Sequence, residues 1–148
     1  MPGFKFKLEP FLNLKTQIEK NRKLEFGQAV MKHEKEKEIL SIKINHMEDS
    51  INNAIDNANK GVPVYVLKNY SNYISKLNDD INLQNEVVIR AGEAVDLSRK
   101  KLYKAMQERK VMENLKNRQK EEYRKEELKQ EQKTIDEVVS YKFSVVGD

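Results

Sequence analysis

A row of apolar side chains recurs every three or four residues from Leu67 to Met112, with mostly Asn, Asp, Glu, Lys and Arg between them. Only Gln84, Ser98 and Arg109 interrupt the row. An average spacing of 3.5 residues, kept in phase for more than six heptads, is typical of a long coiled-coil helix with one narrow apolar seam. The core residues that it predicts on this helix are Leu67, Tyr70, Ile74, Leu77, Ile81, Val88, Val95 and Leu102.

A second seam lies earlier in the chain. Pro10 suits the first turn of a helix, and no further proline follows until Pro63. The core residues predicted on this first helix are Phe26, Val30, Leu40, Ile44, Met47 and Ile51. The apolar residues nearest its start do not keep this phase, so we expect the seam to shift between Ile18 and Phe26.

A short turn at residues 59–63 separates the two seams. Asn59 and Gly61 tolerate the left-handed conformation that ends a helix, and Pro63 favours the start of the next one. A connection this short makes the two helices antiparallel neighbours. The sequence therefore predicts an all-α fold, a single antiparallel coiled-coil hairpin over residues 1–148. Its parts are a helix at about 8–58, a helix at about 64–139 and a non-helical tail at 140–148.

The two seams also predict which residues face each other. If facing residue numbers add to 121, apolar positions meet apolar positions, as when Leu40 faces Ile81. The same register places Lys37 opposite Gln84 and Lys23 opposite Ser98. Polar layers of this kind fix the register of a coiled coil at some cost in stability. Towards the chain ends the match is poorer, because Leu12 then faces Arg109.

The composition favours a linear seam over a broad core, because charged residues make up 35% of the chain and tryptophan is absent. No cysteine is present to form a disulfide or a thiolate metal site. We find no apolar run of membrane-spanning length and no apolar signal-peptide segment at the N-terminus. We therefore expect a soluble, cytoplasmic protein.

Residue patterns for catalysis are missing. No glycine-rich phosphate-binding loop is present, and His33 and His46 lie 13 residues apart, not one helical turn apart. We expect His33 in the seam and His46 on the solvated surface. The acid pairs Asp79–Asp80 and Glu121–Glu122 do not converge, because adjacent helical side chains point about 100° apart. We therefore expect a protein that is not an enzyme and that binds no cofactor, no metal and no small-molecule substrate.

The distribution of charge limits the kind of partner. Residues 1–43 carry a net charge of +4 and residues 99–133 carry +6, whereas residues 44–98 carry −4 and residues 134–148 carry −2. The basic segment 99–133 is interspersed with acids and contains only Tyr103 and Tyr123 as aromatics, which argues against nucleic-acid binding. The basic ends are better suited to an acidic protein partner.

Several motifs together resemble the flagellar export protein family FliJ. They are the opening Phe4-Lys5-Phe6-x-Leu8, then Leu12 and Lys15, the segment Tyr70-x-x-Tyr73-Ile74-x-x-Leu77-x-x-x-Ile81-x-x-Gln84 after Gly61, and Ile135-Asp136-Glu137 near the end. The resemblance covers essentially the whole chain. It implies a hairpin similar to the central stalk (gamma) subunit of rotary ATPases.

The resemblance also implies a function and partners. Such a protein is a non-catalytic stalk and coupling factor of the type III export apparatus, in the cytoplasm and at the basal body on the inner membrane. It binds the hexameric export ATPase and promotes its assembly and activity, contacts the cytoplasmic domain of the membrane export gate, and escorts export chaperones. The alternatives are the stalk of an injectisome secretion system, and a generic coiled-coil adaptor or nucleic-acid-binding rod.

Candidate binding residues follow from the same resemblance. The positions that match gate contacts are Tyr73, Leu77, Asp80 and Gln84. First-helix gate tyrosines of some family members match His46 and Ser50, so this chain departs from them there. For the ATPase, the candidates at the hairpin's open end are Phe4, Phe6, Leu8, Phe11, Arg124, Lys125 and Leu128.

Overall fold

The computed structural model describes residues 3–146 and contains two long helices, α1 (Glu9–Asn59) and α2 (Val64–Val146). The helices pack against each other as an antiparallel hairpin, and the described part of the chain contains no strand, which confirms the predicted fold class. The predicted non-helical tail is wrong as far as Val146, because α2 runs through Ser140 to that residue. Between Pro63 and Val146 the only glycine or proline is Gly92, and this single glycine does not end the helix.

The turn between the helices is built by backbone hydrogen bonds. Gly61 has a φ of 77°, the left-handed conformation in which a side chain is strained. Its N–H donates to the carbonyl of Ala58 at 3.2 Å, and the N–H of Val62 donates to the carbonyl of Asn57 at 3.3 Å. This pair of bonds is a Schellman motif, which satisfies the last carbonyls of α1. Gly61 therefore ends α1 where the sequence predicts the turn.

The chain forms two compact units. The turn unit comprises residues 21–103, and the terminal unit comprises residues 1–20 and 104–148, of which 3–20 and 104–146 are described. Within the turn unit, each predicted core residue is at least partly buried, and Val95 is buried. Ala91, Ser50 and Gln84 are also buried there. The core is thus a thin strip between two helices, as the narrow apolar seam requires.

The predicted pairing of Gln84 with Lys37 is wrong. Gln84 does not meet Lys37, which is exposed and pairs with Glu34 on its own helix. The Gln84 amide instead donates to the carbonyl oxygen of Glu36 at 3.0 Å and to its carboxylate at 2.6 Å. Lys23 is likewise exposed, whereas Arg22 before it is partly buried. The N–H groups of the Gln84 amide need acceptors, which the Glu36 carboxylate provides and a lysine ammonium does not.

Ion pairs join the two segments of the terminal unit. Lys15 pairs with Glu108 at 3.0 Å, Lys116 pairs with Glu9 at 2.9 Å, and Arg109 pairs with Glu19. Phe6 is buried, and the Phe4 and Tyr123 ring centroids are 5.7 Å apart.

The expected shift of the seam near Ile18 is absent from the burial of α1. Partly buried positions continue in steps of three and four residues at Leu12, Lys15, Glu19, Arg22 and Phe26. Because most of these side chains are charged, their aliphatic parts fill the seam without marking it as apolar in the sequence.

The last part of α2 packs against none of the other described residues. Every side chain from Leu128 to Val146 is exposed, so this stretch is an unaccompanied helix among the described residues. Within residues 3–146, neither helix contains an apolar stretch long enough to cross a bilayer.

Candidate partner-binding surfaces

Tyr73 stands on the surface of the turn unit and is held by α1. Its side chain is 45% exposed, and its hydroxyl lies 2.7 Å from Nε2 of His46. The two rings meet edge to face with centroids 6.0 Å apart. His46 was expected to be solvated only, and it is exposed but also bound to this tyrosine. One aromatic ring is therefore presented to solvent in a fixed place.

The other three candidate gate residues lie at different depths. Asp80 is exposed, and its carboxylate forms an ion pair with Lys43, accepting a hydrogen bond from the ammonium at 3.1 Å. Leu77 is partly buried in the seam, and Gln84 is only 8% exposed. A partner protein can thus touch Tyr73 and Asp80 directly, whereas Leu77 and Gln84 hold the two helices together.

Residues of α1 position each polar member of this set. His46 binds Tyr73, Lys43 binds Asp80, and Glu36 accepts from Gln84. Below His46, the Ser50 hydroxyl is buried and donates to the His46 carbonyl at 3.0 Å. Sequence reasoning missed Lys43 and Glu36. The opposite charges of Lys43 and Asp80, two residues from the predicted register, were the one available signal.

The candidate ATPase residues lie in the terminal unit with unequal exposure. Phe6 is buried, and Phe4 and Leu8 are partly buried, so these three pack against their own unit. Phe11 is 56% exposed and Leu128 is 55% exposed. Lys125 is exposed, and Arg124 pairs with Glu121 at 2.8 Å in the neighbouring turn of the helix. The surface of this region is therefore basic with scattered apolar side chains.

One ion pair in the terminal unit shifts the pKa of its carboxyl group. The Lys15 ammonium, by its hydrogen bond and its charge, lowers the pKa of the Glu108 carboxyl below its ordinary value of 4.5. Glu108 therefore stays ionised to lower pH than a free glutamate.

The histidines do not form a metal site. His33 lies in the seam as expected, with its Nε2 atom 3.3 Å from the place that a Cβ would occupy on Gly92. The glycine gives the imidazole room between the helices. No group of three potential metal-ligating side chains is found within residues 3–146.

Comparison with known families decides what kind of hairpin this is. Residues 4–147 match the family described as flagellar FliJ protein. The chain belongs to the FliJ family. This family membership confirms the resemblance drawn from the motifs and relates the chain to type III export.

The fold recurs in a solved structure. CT670 from Chlamydia trachomatis, a proposed YscO homologue, superposes on the FliJ-family chain with a TM-score of 0.67. The two chains are 22% identical, and the match covers 97% of each. At this identity the likeness establishes the shared hairpin fold. No curated protein matches the sequence.

Proposed function

We propose that this FliJ-family chain is a non-catalytic stalk and coupling factor of the flagellar export ATPase. The observation that carries the proposal is the family match over residues 4–147, on a chain whose two helices form a hairpin. In this role the chain binds the hexameric ATPase, promotes its assembly and activity, contacts the export gate and escorts export chaperones. It works in the cytoplasm, at the base of the flagellum.

The terminal unit is the proposed ATPase-binding part. It combines the N-terminal segment with the basic stretch of α2, as the Phe4–Tyr123 contact illustrates. Within this unit, residues 104–133 carry 10 Lys/Arg and 7 Asp/Glu, a net charge of +3, and Lys125 and Leu128 are exposed among them. Such a surface attracts an acidic partner and offers apolar anchors once contact is made.

The turn unit is the proposed gate-binding part. Tyr73 supplies an exposed aromatic ring of the kind that often dominates binding energy in protein interfaces, and Asp80 supplies a charge beside it. Leu77 and Gln84 contribute by fixing the helix pair beneath them.

The deciding experiment mixes the purified chain with its cognate export ATPase at low salt. We expect a rise in ATP hydrolysis and in the hexamer fraction, and no hydrolysis by the chain alone. The variant Arg124→Glu/Lys125→Glu should bind the ATPase more weakly, whereas the matched variant Lys68→Glu/Lys76→Glu, with exposed lysines of the turn unit, should not. An ATPase that is unaffected by the wild-type chain contradicts the stalk role.

Gate binding is tested separately with the cytoplasmic gate domain. Tyr73→Ala should lower the affinity without loss of helicity, whereas Tyr65→Ala, which removes another exposed tyrosine, should leave the affinity unchanged. Equal affinities for wild type and Tyr73→Ala would remove this tyrosine from the gate surface.

A further inference from the structure

A shallow groove between α1 and α2 opens on the surface of the turn unit. Its volume is about 270 Å³. It is lined by Ala29, Lys32, Val87, Arg90, Ala91 and Ala94. On α2 it continues the face of Tyr73 and Asp80, because Tyr73, Asp80, Val87 and Ala94 follow one another at seven-residue steps.

The groove exists because small side chains flank the seam at this level. In most coiled coils long charged residues beside the core fold over it and cover it. Here Ala29 and Ala94 stand at those flanking places, and Ala91 forms a buried floor between them. Because these side chains are small, the backbone of a further helix can approach α1 and α2 closely at this level.

A second apolar row leads along α2 through the groove. Leu83, Val87, Ala94 and Leu97 are all exposed and follow at intervals of four, seven and three residues, and Arg90 occupies the position between Val87 and Ala94. Leu83 is 62% exposed and Leu97 is 55% exposed. The hairpin does not use this row, since its own seam contains the neighbouring positions Gln84, Val88, Ala91 and Val95. An amphipathic helix laid along the row would bury it.

The two charged side chains that line the groove, Lys32 and Arg90, are both cations. Lys32 forms no ion pair with the described residues. Arg90 approaches Glu86 only at 3.9 Å, with both side chains more than 60% exposed, which is a weak pairing. Both cations are therefore available to carboxylates of a ligand that enters between them.

We infer that this groove binds an acidic amphipathic helix of a partner protein as a third helix beside α1 and α2. The apolar face of that helix covers Leu83, Val87 and Ala94, and its carboxylates pair with Lys32 and Arg90. The inference depends on the geometry of the turn unit and not on the proposed gate or ATPase contacts.

The test uses the full chain and a designed probe peptide of about 18 residues, which as a helix spans roughly 27 Å. The peptide has leucine at its seam positions and glutamate at the flanking positions, and a twin peptide has lysine for each glutamate. We expect the glutamate peptide to bind at least tenfold more tightly than its twin in fluorescence anisotropy. Lys32→Glu/Arg90→Glu should reverse this preference.

Two variants separate the groove from general charge. Ala94→Leu fills the groove at an exposed position and should weaken the glutamate peptide at least tenfold, with an unchanged circular dichroism spectrum and melting temperature. Lys60→Glu/Lys68→Glu makes the same change in net charge at exposed positions away from the groove and from the basic stretch 99–133, and should keep the preference of the wild type. The inference is overturned if neither peptide binds the wild type, if the preference survives Lys32→Glu/Arg90→Glu, or if Ala94→Leu binds normally. Since no ATPase or gate domain is present, failure here leaves the proposed function standing.

Discussion

The hydroxyl of Tyr73 lies 2.7 Å from Nε2 of His46, so an exposed residue of α2 is held by an exposed residue of α1. Their rings also meet edge to face. The ring that we propose for gate contact is therefore placed by both helices. The contribution of His46 is to hold Tyr73 in place.

A double-mutant cycle measures this contact. Tyr73→Phe removes the hydroxyl and His46→Ala removes its partner, so the two changes should be non-additive by about 0.5–1 kcal/mol in the free energy of unfolding, as for an ordinary hydrogen bond. Urea denaturation of the four proteins provides the value. Additive effects would mean that the hydrogen bond contributes nothing to stability.

The buried amide of Gln84 should contribute more to the free energy of unfolding than Lys37, the residue that the sequence predicts opposite it. Gln84→Leu leaves the Glu36 carboxylate without its amide donor in a partly buried place and should cost about 1–3 kcal/mol. Lys37→Ala changes an exposed side chain and should cost little. Thermal or urea unfolding compares them, and a larger cost for Lys37→Ala would restore the predicted polar layer.

A charge in the seam should unfold the turn unit, whereas the same charge on its surface should not. Leu77→Asp places a carboxylate in a partly buried apolar layer and should cost several kcal/mol. Leu83→Asp, six residues away on the exposed row, should cost about 1 kcal/mol or less. Circular dichroism during heating distinguishes the two variants, and similar melting temperatures would show that the seam is not the core.

The terminal unit should lose stability in acid through Glu108. Its pKa in the folded chain is lowered by Lys15, so the stabilisation is present above the ordinary value of 4.5 and is lost as the pH falls through the lower folded value. Lys15→Met should raise the pKa of Glu108 in a carboxyl titration followed by NMR. An unchanged titration in that variant would show that the ion pair does not form in solution.

The unaccompanied end of α2 should be the least protected part of the described chain. All side chains from Leu128 to Val146 are exposed, so its backbone hydrogen bonds open without breaking any packing. Amide hydrogen exchange there should be much faster than around Val88 to Val95 in the seam. Truncation after Thr134 should leave the melting temperature of the remaining hairpin nearly unchanged, and a large decrease would reveal packing of this end.

The apolar spacing and the turn residues were sufficient to predict much of this protein. Apolar residues such as Leu40, Ile74 and Ile81 mark a seam because they follow one another at an average spacing of 3.5 residues. Gly61 and Pro63 mark the turn between the two helices. Both signals are local, because they depend on the helical period and on backbone conformations that few residues tolerate. The motifs that resemble the FliJ family could also be recognised in the sequence alone.

Only the tertiary structure decided which polar side chains meet. Neither Glu36 nor Lys37 is apolar, so the period could not tell which of two adjacent residues faces α2; the hydrogen bonds of Gln84 select Glu36. The same holds for the contact between His46 and Tyr73, and for the groove left open by Ala29 and Ala94. Such features depend on distances between side chains of different helices, which a one-dimensional pattern of apolar and polar positions does not contain.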